Sequence, residues 1–154
     1  MEALRSLWES KRRGRAMPAR YDFVIDDLAP WLGRLNLISL ENGVARFDVF
    51  GTHNSREIGI ELTGRTVDAL PAEDRALANA GIDRAVRERA PVFETVSMVR
   101  NQRLRVYDRL ILPLSDDGGT VNKMFVLIDS PQDERRSVGR WVSASSARVH
   151  APER

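Results

Sequence analysis

One segment late in the sequence, residues 120–129, is apolar on both faces if it forms a β-strand, and this restricts the fold more than any other feature. Successive side chains of a strand point to opposite sides of a sheet. They divide here into Met124, Val126 and Ile128 on one side and Phe125 and Leu127 on the other. Such a strand belongs in the middle of a sheet that is covered on each face. We therefore expect the largest helix to cover one face and the N-terminal helix, or a second subunit, to cover the other.

Hairpin and helix signals place two strands before a helical block and three strands after it. The expected strands are residues 35–40, 44–50, 92–100, 104–114 and 120–129, and the expected helices are residues 2–13 and 72–89, with short helical turns at 53–58 and 66–70. Asn42-Gly43 supplies the positive φ angles of a tight hairpin turn, and short links make neighbouring strands antiparallel. Helices that fall in one block pack on one face of a sheet, so the pattern predicts an α+β fold.

The chain of 154 residues is long enough for one domain with its own core. We expect residues 1–34 to form an N-terminal helix and an irregular lead-in, and residues 35–130 to form the compact core. Residues 131–154 are rich in Ser, Arg, Ala and Pro, and the apolar periodicity ends near Pro131. This composition predicts a flexible C-terminal tail.

Composition excludes several classes of protein. The chain has no cysteine, so disulfides, cysteine-ligated metals and thiol nucleophiles are excluded. It has neither an apolar run of about 18 residues nor an apolar leader, so we expect a cytoplasmic protein without membrane contact. The formal net charge is only +2 and nearly all cations are arginines, so the high isoelectric point gives little support for nucleic-acid binding.

Side chains with catalytic chemistry are few. The chain has two histidines, His53 and His150, and no serine–histidine–aspartate set, phosphate loop or metal-ligand cluster is visible in the sequence. Asp48, Glu94 and Asp108 fall on strands, and we expect Asp48 and Asp108 to pair with arginines on an exposed sheet face. The sequence therefore predicts neither catalysis nor a bound metal.

Four groups of short motifs occur in an order that resembles the PAS domain. They are Leu7-Trp8 with Met17-Pro18-Ala19-Arg20, then Gly51-Thr52, then Glu61-Leu62-Thr63-Gly64-Arg65, and finally Arg109-Leu110-Ile111-Leu112-Pro113-Leu114 with Asp117-Gly118. The chain looks closest to a bacterial subgroup in which this domain makes up most of a small protein. The resemblance implies a PAS-like five-stranded antiparallel sheet in the order 2-1-5-4-3, helices on one face and an N-terminal flanking helix.

The PAS resemblance also implies a cavity between the helices and the sheet. A small apolar or amphipathic ligand there is one interpretation, and a filled core is the other. The residues expected to line this space are Phe47, Val49, Ile58, Leu62, Leu70, Ile82, Val86, Phe93, Met98, Leu110, Leu112, Met124 and Val126. PAS domains that bind haem use a histidine on the long helix, and residues 72–90 contain none, so we expect no cofactor.

A homodimer is expected through the N-terminal helix. A helix of about a dozen residues gains most of its stability by packing, either on its own sheet or on a partner's. The residues expected at the interface are Leu4, Leu7, Trp8, Phe125 and Leu127. The alternative is a monomer whose helix covers its own sheet.

The sequence favours a PAS-type sensory or protein-interaction module in bacterial signalling, which acts through an unidentified partner protein or its own oligomer. Two alternatives come from other classes. Residues 11–15, 84–89 and 100–105 are rich in arginine and would support a nucleic-acid-associated protein if they met on one face. Buried carboxylates that converge in the pocket would instead support a small α+β enzyme.

Overall fold

In a computed structural model of the chain, the described residues are 1–130 and 148–150. Within them the secondary structure consists of α1 (Glu2–Arg12), α2 (Ile25–Leu28), β1 (Leu35–Glu41), β2 (Val44–Val49), α3 (Thr52–Ile58), α4 (Ala72–Glu88), β3 (Val92–Arg100), β4 (Arg103–Leu114), β5 (Lys123–Asp129) and β6 (Arg148–His150), with short 3-10 turns at Arg20–Asp22, Ala29–Trp31 and Val67–Ala69. The predicted two strands, helical block and three strands are therefore found in that order.

The strands form one antiparallel sheet in the order β2-β1-β5-β4-β3-β6. The predicted order of the first five strands is confirmed, with β5 at the centre between β1 and β4. Phe125 of β5 lies opposite Leu37 of β1 and Leu112 of β4. Directly opposite residues of antiparallel strands share a face, so these three side chains lie on one side of the sheet. The central position explains why β5 is apolar on both faces.

β6 is a strand that the sequence analysis does not predict. It pairs with β3, where Val149 lies opposite Val96, and it extends the sheet by three residues. β6 belongs to the segment 131–154, for which a flexible tail is predicted. The other residues of that segment lie outside the described residues, so the three-part division of the chain stays a prediction.

α4 covers one face of the sheet. Its buried residues recur at helical spacing and are Asp74, Leu77, Gly81, Ile82 and Ala85. A Cβ atom on Gly81 would lie 2.7 Å from Ile111 Cδ1 of β4, closer than side chains approach. Glycine at this position therefore allows α4 to lie close to the sheet. Ile111 is opposite Val126 of β5, so the set of Met124, Val126 and Ile128 faces α4.

α1 and the segment that follows it cover the other face. Trp8 Nε1 donates a hydrogen bond to Pro113 O at 2.8 Å. The Phe23 ring packs edge-on against Phe125, with ring centroids 5.2 Å apart. Met1 lies beside the C-terminal end of β5, so α1 runs across this face. The N-terminal helix therefore covers the sheet of its own chain.

β2 contains a β-bulge at Asp48. Phe47 lies opposite Ile38 of β1, whereas Val49 lies opposite Leu37, so Asp48 is the extra residue between them. An inserted residue reverses the side to which the next side chain points. Phe47 is accordingly buried against the helices, and Val49 is 47% exposed.

Candidate functional site

The residues predicted to line a pocket are distributed over three parts of the structure. Eight of them are buried in the main hydrophobic cluster, namely Phe47, Leu62, Leu70, Ile82, Leu110, Leu112, Met124 and Val126. Ile58 packs at the edge of this cluster, and Met98 belongs to a second, smaller cluster. Side chains packed in this way form a core. Ligand binding at these residues stays a prediction.

Three of the predicted pocket residues lie on the opposite face of the sheet. Leu112 is opposite Phe125, Leu110 is opposite Leu127, and Phe93 is opposite Leu110. All three therefore belong to the face that α1 covers, which corrects the expectation that they share a space with the α4-facing residues. The physical reason is the register between β4 and β5, because a shift of one residue moves every side chain to the other face.

Two further pocket predictions are corrected because the side chains point towards solvent. Val49 follows the bulge at Asp48, lies opposite Leu37 on the face away from α4, and is 47% exposed. Val86 is 41% exposed, because the buried stripe of α4 is centred on Leu77, Gly81 and Ala85 and leaves Val86 at its edge.

The residues predicted to form a dimer interface are mostly buried within one chain. Leu4, Trp8, Phe125 and Leu127 are at most 3% exposed, and Leu7 is partly buried against the same core. These side chains are therefore not available to a second chain in this conformation. Their assignment to an interface is corrected, because α1 covers its own sheet. Dimerisation itself stays a prediction.

A group of polar side chains lies beneath α4 on the half of the sheet formed by β3 and β4. Glu94 is opposite Arg109, Val96 is opposite Tyr107, and Met98 is opposite Arg105, and all three pairs face α4. We call the polar residues of this region the α4 polar cluster, which consists of Asp74, Glu94, Arg100, Arg105, Tyr107 and Arg109. Buried charges are rare unless they are paired, so each contact within the cluster is informative.

The pair of Glu94 and Arg109 is at the centre of the α4 polar cluster. Arg109 Nη2 donates to Glu94 Oε2 at 2.5 Å, and the side chains are only 5% and 6% exposed. Arg109 Nη1 donates to Leu77 O of α4 at 2.9 Å, and Arg84 Nη1 donates to Glu94 Oε1 at 3.2 Å. A Cβ atom on Gly81 would lie 2.7 Å from Arg109 Nη2. The missing side chain of Gly81 therefore makes room for the guanidinium beneath the helix.

A second ion pair joins the start of α4 to the end of β3. Arg100 Nη2 donates to Asp74 Oδ1. Burial raises the pKa of Asp74, and the charge of Arg100 offsets this only in part. Burial also raises the pKa of the Tyr107 hydroxyl, which lies among these charges. Both shifts have the same cause, because low-dielectric surroundings disfavour the ionised form.

Some polar atoms of the α4 polar cluster have no partner. Among the described residues, four buried side-chain nitrogen and oxygen atoms make no hydrogen bond, and all four belong to this cluster. They are Asp74 Oδ2 and the Nε atoms of Arg100, Arg105 and Arg109. A buried polar atom without a partner costs about 1–3 kcal/mol. Three donors and one acceptor of the cluster are therefore unpaired within the part of the chain that the structure describes.

Apolar side chains complete the surroundings of the cluster. Leu77, Val96 and Met98 form a buried group separate from the main core, and Tyr107 packs against it. A few directed polar groups beside an apolar surface are typical of sites for small organic ligands. Arg105 Nη1 contacts Glu57 Oε2 of α3 at 3.5 Å, and both side chains are partly exposed, so this end of the cluster faces solvent.

Only part of this site is predicted from the sequence. Glu94 is among the strand carboxylates, Arg109 lies within a motif and Arg100 lies within an arginine-rich stretch, but Asp74 and Tyr107 have no predicted role. One signal was present in the sequence, since Glu94 alternates with Val92 and Val96 and therefore points to the buried side of β3. Asp74 and Arg100 are 26 positions apart in the sequence, so no local pattern reveals that pair.

The other two strand carboxylates lie on the sheet face away from α4. Asp48 accepts from Lys123 Nζ at 2.8 Å and from Ser39 Oγ at 2.7 Å, and Asp108 accepts from Thr95 Oγ1 at 2.8 Å. Burial acts to raise the pKa of Asp48, but the hydrogen bonds from Lys123 and Ser39 outweigh it and lower the pKa. The expected arginine partners are therefore replaced by a lysine and by hydroxyl groups.

The three arginine-rich stretches do not meet on one face. Ser115 N donates to Pro18 O, and Arg89 Nη1 donates to Gly119 O, so residues 11–15 and 84–89 approach the turn after β4. Residues 100–105 lie at the other end of β4, which has 12 residues. A strand of that length spans about 37 Å. This separation does not favour a continuous phosphate-binding surface.

Residues 1–130 and 148–150 contain no group of three or more His, Cys, Asp or Glu side chains arranged to hold a metal ion. No helix among them is both long and apolar enough to cross a membrane. His53 is partly exposed and lies 3.6 Å from Glu57, its neighbour one helical turn away.

The strand order and the helices packed on one face define a PAS-like fold. A family model described as the PAS domain matches residues 1–128. The chain therefore belongs to the PAS domain family. A comparison with curated proteins finds no match.

Solved structures with a similar fold include VqmA of Vibrio cholerae. VqmA in complex with ligand and DNA is 13% identical, with a TM-score of 0.52 over 70% of this chain and 51% of that one. The VqmA dimer without target DNA is 14% identical, with a TM-score of 0.52 over 84% of this chain and 61% of that one. The PAS domain of Bordetella pertussis BvgS is 19% identical, with a TM-score of 0.43 over 63% of this chain and 75% of that one. The chain thus spans between half and two thirds of VqmA, and the likeness shows the fold alone.

Proposed function

We propose that the chain is a sensory and protein-interaction module without catalysis, which binds a small carboxylate-bearing molecule at the α4 polar cluster. The observation that carries this proposal is the set of four buried polar atoms without partners, all in one place. Three of them are arginine N–H donors, and N–H donors on a charged group form strong hydrogen bonds with carboxylates. The α4 polar cluster contains three arginines and two carboxylates, and its net positive charge also favours an anionic ligand.

The shape of the ligand follows from the other atoms of the site. Leu77, Val96 and Met98 provide an apolar surface for a ring or a short alkyl body. Asp74 Oδ2 is the single acceptor and takes a hydroxyl or amine donor. A small aromatic hydroxy acid satisfies all three requirements. Arg105 is the most exposed arginine of the cluster, at 37% of its side chain, and its displacement opens the site to solvent.

Non-catalytic binding is supported by how the carboxylates are used. Glu94 is held by Arg109 and Arg84, and Asp74 by Arg100, so neither is free to act as a general base. The VqmA structure with ligand and DNA raises nucleic acid as a partner, but the arginine-rich stretches of this chain lie at opposite ends of β4. We therefore propose that the signal passes to a partner protein or to a second copy of the chain.

The test uses 4-hydroxybenzoate as the probe and phenol as its control, because phenol keeps the ring and the hydroxyl group but lacks the carboxylate. The thermal midpoint of the chain is measured with each compound at constant ionic strength. A ligand at a concentration 100 times its dissociation constant stabilises the folded state by about 2.7 kcal/mol. For a domain of this size, this raises the thermal midpoint by roughly 5–10 °C. We expect this shift with 4-hydroxybenzoate and none with phenol.

Two variants locate the binding. Arg105→Gln removes an arginine of the cluster and should abolish the shift. Arg87→Gln removes an exposed arginine on the outer side of α4 and should leave it unchanged. Native mass spectrometry of freshly purified protein should also reveal a small organic acid bound to the wild type and absent from Arg105→Gln. The proposal would be contradicted if phenol and 4-hydroxybenzoate changed the thermal midpoint equally and the native mass spectrum showed the wild type without a bound ligand.

A further inference from the structure

A hollow in the surface lies at the C-terminal end of β5, beside the start of α1. It has a volume of about 520 Å³, which is within the usual range of small-molecule sites. Trp31, Pro30 and Leu127 give it apolar walls, and Arg34 and Asp129 supply charged groups. Leu127 and Asp129 belong to the sheet face that α1 covers, so this hollow is separate from the α4 polar cluster on the other face.

One side of the hollow, formed by residues 33–34, is fixed by hydrogen bonds to α3 and β5. His53 N donates to Gly33 O at 2.8 Å. Arg34 O accepts from Ile128 N at 3.3 Å and from Asn54 Nδ2 at 3.0 Å. Asn54 is only 3% exposed, so its amide is committed to holding this backbone in place. The hollow is therefore formed before any ligand arrives, which lowers the entropic cost of binding.

Asp129 is the acidic group of the hollow. Its Oδ1 accepts from Arg34 Nη1 at 2.5 Å, and its side chain is 47% exposed. Within residues 1–130 this is the only side-chain partner of Asp129, so Oδ2 is left to accept a hydrogen bond from a donor outside the chain.

A second carboxylate lies directly opposite Asp129. Asp108 of β4 pairs with Asp129 in the antiparallel register, and opposite side chains of such strands have Cβ atoms about 4.5–5.5 Å apart. Like charges placed in this way repel each other. Asp108 accepts from the neutral Thr95 hydroxyl at 2.8 Å, and within residues 1–130 Arg34 is the one cation paired with either carboxylate. This edge of the hollow therefore favours a further positive charge.

We propose that the hollow binds an organic ammonium compound, in which a primary amine is attached to an apolar body. The ammonium group donates to Asp129 Oδ2 in a charge-assisted hydrogen bond and offsets the repulsion from Asp108. The apolar body packs against Trp31 and Pro30, and the indole face attracts a neighbouring cation. A free amine and an amino acid share this chemistry, and only the amino acid adds a carboxylate that Arg34 can bind.

The test uses phenethylamine as the probe and 2-phenylethanol as its control, because the alcohol keeps the ring and the chain but replaces the ammonium group by a hydroxyl. Binding to the full chain is measured by isothermal titration calorimetry at constant ionic strength. His53 also lines the hollow and would repel the ligand in its protonated form, so the measurement is made at pH 8. We expect phenethylamine to bind about tenfold or more tightly than 2-phenylethanol, since a hydrogen bond to a charged group accounts for at least that factor.

A third compound, L-phenylalanine, distinguishes the two sources of the ammonium group. Tighter binding than phenethylamine assigns the hollow to an amino acid whose carboxylate contacts Arg34, and weaker binding assigns it to a free amine. The proposal is wrong if neither ammonium compound gives a heat of binding, or if 2-phenylethanol binds as tightly as phenethylamine.

Variants of the two carboxylates locate the binding. Asp129→Asn keeps the size of the side chain, removes its charge and should weaken phenethylamine binding by about tenfold or more. Asp108→Asn should weaken it less, because this carboxylate acts across a longer distance. Asp83→Asn, at an exposed position of α4, is the matched control and should bind like the wild type.

The outcome is independent of the function proposed above, because Asp129→Asn should keep the response to 4-hydroxybenzoate at the α4 polar cluster. Circular dichroism confirms that each variant is folded. If folded Asp129→Asn binds phenethylamine as tightly as the wild type does, the hollow is not an ammonium site and the inference is overturned.

Discussion

Removing one member of the Glu94–Arg109 pair should destabilise the domain far more than removing both. Glu94→Leu leaves the buried Arg109 guanidinium with its bond to Leu77 O and no carboxylate. Breaking a buried pair in this way costs about 3–5 kcal/mol. The double variant with Arg109→Met also removes the stranded charge, and the unbranched Met side chain fits beneath Gly81. Replacing a whole buried pair by apolar residues is neutral or stabilising by about 1–4 kcal/mol.

The expected midpoints follow from the size of the domain. One kcal/mol changes the thermal midpoint by about 2–4 °C for a domain of 150–250 residues. Glu94→Leu should therefore lower the thermal midpoint by roughly 6–20 °C, whereas the midpoint of the double variant should lie within a few degrees of the wild-type value. Arg87→Met, at an exposed position of α4, is the control and should change stability by less than about 0.5 kcal/mol.

The assay is a double-mutant cycle by thermal and urea unfolding, followed by the 4-hydroxybenzoate measurement on each folded variant. We expect a coupling energy near 3 kcal/mol, at the upper end for neighbouring residues. A stable double variant that no longer responds to 4-hydroxybenzoate would show that the pair serves binding rather than folding. Equal losses for Glu94→Leu and the double variant would refute the reasoning, because the buried charge of Arg109 would then not be the source of the cost.

Three further perturbations test other parts of the structure. Trp8→Phe removes the donor to Pro113 O and should cost about 1–2 kcal/mol in urea unfolding, so an unchanged midpoint would mean that this bond does not hold α1 to the sheet. Gly64→Val places a β-branched residue at a φ of 81° and should lower the free energy of unfolding by more than about 1 kcal/mol. Gly119→Val is the control, because Gly119 has an ordinary φ and an exposed position, and it should change stability little. Equal unfolding midpoints for the two variants would contradict this prediction. Hydrogen bonds from backbone N–H groups hold the pKa of Asp117 well below its ordinary value of 3.8. The ionised carboxylate therefore stabilises the fold above about pH 3.8, and this stabilisation is lost as the pH falls towards the lower pKa of the folded state. The stability difference between the wild type and Asp117→Ala should therefore shrink below about pH 4, and a constant difference would refute the assignment.

The PAS resemblance implied the strand order and the residue pattern required a central last strand, but neither showed on which side of the sheet each β4 residue lies. The apolar pattern of β5 required a central strand, and the structure has it there. β4 and β5 are joined by residues 115–122, a loop too long to fix the register as a two-residue hairpin turn does. The sequence therefore predicts the wrong face for Leu110 and Leu112. The bulge at Asp48, which turns Val49 outwards, has no sequence signal of its own.

The candidate site was harder to predict than the fold, because charged residues were interpreted as solvated surface. Asp74 and Arg100 lie on different elements, and only the packing of α4 on β3 brings them together. Arg109 is buried because Gly81 leaves space for it, and that relation spans 28 positions of the chain. Charges that are buried by distant neighbours leave no periodic trace in a single sequence.

The attachment of α1 has a consequence for synthesis of the chain. Trp8 and its partner Pro113 are 105 residues apart, and β5, which completes the surface beneath α1, ends at Asp129. At about 5–20 residues per second, the ribosome needs on the order of 10 s to make that stretch. During this time the apolar side of α1 has nothing to pack on, and the β1–β2 and β3–β4 hairpins have unpaired edges. A chain truncated before β5 therefore keeps these edges and the buried side of α1 exposed, and it should aggregate rather than fold.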